Sequence, residues 1–129
     1  MPSRNTPTSQ QLAAFARKYI DFFENVYDPE TESYYQFFDS NFSKECFALG
    51  FDMDCGETFS DKYGLEAWRS TEGLQMVIDQ IDDISLIGSA LFSKWRFYNH
   101  WADGHGDESV KPWFLLLFRR LLTLTESTN

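Results

Sequence analysis

The sequence predicts an all-α fold, a compact single-domain helical bundle of about five or six helices. Three observations carry this expectation. Apolar residues recur at helical spacing through most of the chain, and no segment alternates as a half-buried strand would. The 129 residues also include 13 Phe, 6 Tyr and 4 Trp. Each such ring contributes roughly 1.5–3 kcal/mol when fully buried, so one core needs no metal or disulfide framework. The domain is expected over residues 9–126, with a flexible N-terminus at 1–8 and a frayed tail at 127–129.

The first helix has Thr8 or Ser9 as its cap, just after Pro7. Leu12, Phe15, Ala16, Tyr19, Ile20, Phe22, Phe23, Val26 and Tyr27 then share one arc of a 3.6-residue wheel. It ends at Asp28-Pro29, because a residue before proline avoids the α region. Residues 28–38 read as an acidic loop. Asp39 or Ser40 can cap a short second helix closed by Gly50, with Phe42, Cys46 and Leu49 facing inward.

A third short helix is expected around Glu57–Tyr63, between Gly56 and Gly64, with Phe59, Tyr63, Leu65 and Trp68 as anchors. Ser70 or Thr71 starts a fourth, with Leu74, Val77, Ile78 and Ile81 on its apolar face. Asp82 or Asp83 caps the next, over about 84–102.

That helix has a wide apolar stripe (Ile84, Ile87, Gly88, Leu91, Phe92, Trp95, Tyr98, Trp101) and a narrow one opposite (Leu86, Ala90, Phe97). A helix apolar on two sides is sandwiched inside the fold or at a subunit interface. Gly88, beside Ser89 and Ala90, predicts the close approach of another backbone. Residues 103–109 form a turn, and Ser109 caps a last helix, rich in Leu, that pairs with its predecessor as a central hairpin.

Charge is uneven. Residues 28–83 carry three basic and fourteen acidic groups, net −11, whereas residues 1–27 and 84–129 are each net +1. Such a segment repels phosphates, so nucleic acid is not an expected partner; it suits a basic protein or a divalent cation. No apolar run approaches membrane-spanning length or forms a signal peptide. A cytoplasmic protein is therefore expected, with Cys46 and Cys55 reduced rather than bridged.

Four carboxylates, Asp52, Asp54, Glu57 and Asp61, make the densest acidic cluster. Counted from Asp52 as a calcium loop, position 5 is Gly56, position 6 is Glu57 and position 12 is Tyr63, so the pattern fails. The cluster reads as a solvated acidic loop or, alternatively, as a patch facing a protein partner. His100 and His105, with Cys55, match no zinc spacing.

Ser89, Ser93, Arg96 and His100 form a polar stripe in which Arg96 suits a carboxylate or phosphate and His100 a proton transfer. No carboxylate is placed to orient that imidazole, so a plain solvent face is the simpler expectation. Arg119-Arg120 reads as the wet edge of a core helix. No phosphate loop, dinucleotide fingerprint or nucleophile elbow is present, and no catalytic residue, cofactor or metal is assigned.

Two stretches, Ala48-Leu-Gly-Phe-Asp-Met-Asp-Cys-Gly56 and the run from Leu86 to Ala102, resemble small acidic bacterial proteins of a domain-of-unknown-function type. The likeness spans roughly residues 10–125. It implies a bacterial cytosolic origin and no activity, and it assigns no functional residue.

The sequence thus points first to a protein-interaction module, for example an immunity- or antitoxin-like inhibitor of a basic partner. The alternative is a small-molecule-binding or catalytic helical domain whose pocket is walled by Trp95, Tyr98, Trp101 and Trp113. A homodimer through Leu86, Ala90 and Phe97 is a third expectation.

Overall fold

The computed structural model describes residues 7–27, 41–51, 56–101 and 110–127, with side chains for 7–27, 41–51, 58–96 and 111–126. These residues fold as an all-α bundle, and no strand occurs among them. The helices are α1 (Ser9–Asp21), α2 (Phe42–Ala48), α3 (Gly56–Tyr63), α4 (Leu65–Arg69), α5 (Thr71–Val77), α6 (Ile84–Trp101) and α7 (Val110–Ser127). A π-helical turn, Phe22–Val26, prolongs α1, and a 3₁₀ turn, Ile78–Gln80, prolongs α5. The acidic loop at 28–38, the Asp39 and Ser40 caps, the turn at 103–109 and the cap at Ser109 lie outside the described residues.

Local chemistry sets the helix ends. The Thr8 hydroxyl accepts the Gln11 N–H at 3.0 Å, and Gln11 Oε1 accepts the Thr8 N–H at 2.8 Å. This reciprocal capping box satisfies two donors that would otherwise lack partners. Ser70 caps α5 by accepting from the Gly73 N–H at 3.0 Å. Asp83 caps α6 through Oδ1, which accepts the Leu86 N–H at 3.1 Å.

α2 closes differently. The Gly50 N–H reaches back to the Phe47 carbonyl, and the Phe51 N–H to the Cys46 carbonyl at 2.9 Å. Gly50 holds φ +81°, so the pair forms the glycine-dependent Schellman closure. The N-terminal flanking residue of α2 is Asn41, which makes no side-chain cap hydrogen bond, rather than Asp39 or Ser40.

Between residues 56 and 69 the sequence predicts one helix and the structure has two. Gly64, at φ +105°, turns the chain between α3 and α4. Phe59 is fully buried, and Tyr63 and Trp68 pack on the core. Leu65 does not anchor anything: it is 52% exposed on the first turn of α4.

α7 is central, as its leucine-rich wheel predicts. Trp113, Phe114, Leu115, Leu117, Phe118 and Leu121 are all buried. α1 lies along it. Phe15 and Tyr19 pack on Phe118, and Phe23 stacks on Phe114 at 5.6 Å and 8°. Arg17 pairs with Glu126 and Glu24 with Arg119. Moving forward along α1 thus moves backward along α7, so the two helices are antiparallel. These ion pairs are solvent-exposed and contribute about 0–1 kcal/mol each. The rings beneath them, at roughly 1.5–3 kcal/mol each, dominate the packing.

α6 also packs on α7, and from Leu86 to Phe92 every residue is buried. Both apolar stripes are therefore covered within one chain over Leu86–Phe92, whereas the side chains of Phe97, Tyr98 and Trp101 lie outside the described residues. Leu86 and Ala90 of the narrow stripe are buried. Gly88 has the close neighbour its size predicts, but the neighbour is a side chain. A Cβ at Gly88 would overlap the ring of Phe51.

Candidate functional site

Three short helices, α3 to α5, pack side by side and carry the acidic part of the described surface. Asp61, Glu66, Glu72, Asp79 and Asp82 are exposed. Among the described residues the ion pairs are Arg17–Glu126, Lys18–Glu45, Lys62–Asp83 and Arg119–Glu24, so none of those five carboxylates is neutralised by one. Of the predicted acidic patch, Asp61 stands on this surface. Asp52 and Asp54 lie outside the described residues, as does the side chain of Glu57. The described residues contain no grouping of three or more His, Cys, Asp or Glu side chains suited to a metal ion.

The polar stripe of α6 is not a continuous solvent face. Ser89 is buried, Ser93 is half-buried and Arg96 is exposed. The stripe climbs out of the core as the helix proceeds. The side chain of His100 lies outside the described residues, so no Arg96–His100 pairing follows. His105 and Cys55 lie outside them as well. Cys46 is a free thiol with no exposed surface. Burial, reinforced by the neighbouring Glu45 carboxylate, pushes it well above the usual thiol range.

The tryptophans expected to wall a pocket are core where they are described. Trp95 packs on Phe42 and Phe92, and Trp113 on Trp68 and Phe114. The side chains of Tyr98 and Trp101 lie outside the described residues.

Lys94 is the residue that the sequence analysis missed. It is only 8% exposed. Its ammonium donates to the Trp68 carbonyl at 2.5 Å and lies 4.4 Å from the Trp68 ring centroid and 4.9 Å from that of Trp113. Trp113 Nε1 in turn donates to the Ala67 carbonyl at 3.1 Å. Two side chains from α6 and α7 therefore satisfy the carbonyls that end α4, and the cation faces the negative end of that helix. A sequence signal existed: Lys94 continues the narrow apolar stripe four residues after Ala90.

The two arginines of α7 are also engaged. Arg119 pairs with Glu24, and Arg120 donates to the carbonyls of Ile81 at 2.7 Å and Asp79 at 3.0 Å.

Two open grooves are formed among the described residues. One, of about 350 Å³, runs between α1 and α2 over Ala14, Phe15, Ala48 and Leu49, with the Lys18–Glu45 ion pair at its edge. Glu45 also accepts from the Tyr19 hydroxyl. The other, of about 250 Å³, runs between α5 and α7. Thr71 and Gln75 form one wall, Lys111 and Arg119 mark the other, and Pro112, Leu115 and Leu116 make its floor. Thr71 Oγ1 is buried without a hydrogen-bond partner among the described residues. An unsatisfied buried hydroxyl costs about 1–3 kcal/mol.

No family model, no curated protein and no solved structure matches the chain. No helix among the described residues is long and apolar enough to cross a membrane.

Proposed function

We propose that this chain is a protein-interaction module, an inhibitor of immunity or antitoxin type, that captures a basic protein partner in the bacterial cytoplasm. The observation that carries this reading is the set of five exposed carboxylates on α3–α5 and the turn after them, none held in an ion pair among the described residues. Carboxylates left facing water project their field outward, which raises the association rate with a cationic surface. The net −11 of residues 28–83 supplies the longer-range part of that field. The buried reduced thiol of Cys46 suits a reducing compartment.

The test is capture of partners from the source cell by the whole chain at low and at high salt. A variant carrying Glu66→Gln, Glu72→Gln, Asp79→Asn and Asp82→Asn is run beside it. A basic partner is expected, with an association rate that falls by about tenfold or more in the variant and in high salt. Recovery of no basic partner, or binding indifferent to both changes, would count decisively against the proposal.

A further inference from the structure

We draw no further inference here: the strongest candidate, the apolar groove between α1 and α2 over Ala14, Phe15, Ala48 and Leu49, is edged by Lys18 and Glu45, which already pair with each other, and nothing in the structure shows what covers it.

Discussion

At Gly88 two opposing effects can be weighed. Alanine is the better helix former by up to about 1 kcal/mol. Its methyl group, however, would enter the ring of Phe51, which is itself buried and packed on Phe15. Overpacking of this kind costs about 1–3 kcal/mol. Gly88→Ala is therefore expected to lower the urea midpoint with an unchanged slope; a rise would show that the ring moves aside freely.

Cys46 carries a second prediction. Its raised pKa means that the thiol is neutral in the folded chain under conditions where an exposed thiol ionises. The stability linked to this group is full below the ordinary thiol range and is lost as pH climbs through and above it, because the unfolded chain releases the proton first. A disulfide-exchange reagent at pH 8 should leave Cys46 unmodified until urea unfolds the protein. Urea midpoints should also fall above about pH 9, less so in Cys46→Ala.

The short helices in the middle of the chain are not self-sufficient, and their ends show how they are completed. α4 has five residues, fewer than an isolated helix needs by a wide margin. Lys94 and Trp113 bring their donors to its last carbonyls from two other helices. Trp113→Phe retains most of the ring area and removes the N–H, leaving the Ala67 carbonyl without its partner. A loss of about 1–3 kcal/mol is expected from chemical denaturation. Combined with Lys94→Met the two losses should not add, since both residues hold one helix end.

Much of this level could be read in advance. Thr8, Ser70, Asp83 and Gly50 act at helix ends as their side chains or φ requirements dictate, because capping is a local matter. The partner of each apolar face could not be read. A wheel gives the direction of burial and nothing about what arrives there, so Gly88 met a phenylalanine ring rather than a backbone. Lys94 was hidden for the same reason: its acceptor and both rings come from distant parts of the chain. Leu65 was misjudged because a five-residue helix has too little periodicity to define an inside. The acidic surface was legible as a charge count, and the groove lined by Thr71 and Lys111 was not, since its two walls lie some forty residues apart in sequence.

For the molecule as a whole, electrostatics and packing divide their tasks. The core is built from α1, α6 and α7 with anchors such as Phe42 and Phe59 from the middle of the chain. The carboxylates of α3–α5 stand outside it, so altering them should change recognition far more than folding. The neutralised variant of those carboxylates should melt within a few degrees of the parent, as surface substitutions usually change stability by less than about 0.5 kcal/mol. A large drop in melting temperature would mean that these side chains hold the fold as well.

The antiparallel seating of α1 on α7 has a consequence for how the chain acquires its shape. Arg17 and Glu126 stand 109 residues apart in sequence yet touch. Phe42 and Phe51 cover part of the aromatic face of α1 early, but the part that packs on Phe114 and Phe118 must wait for α7 to be made. Loop closure over such a span is entropically costly before the rings repay it. Refolding should accordingly be slower than for a bundle of sequence-adjacent helices, and chains arrested before α7 emerges should be the ones that chaperones and proteases find.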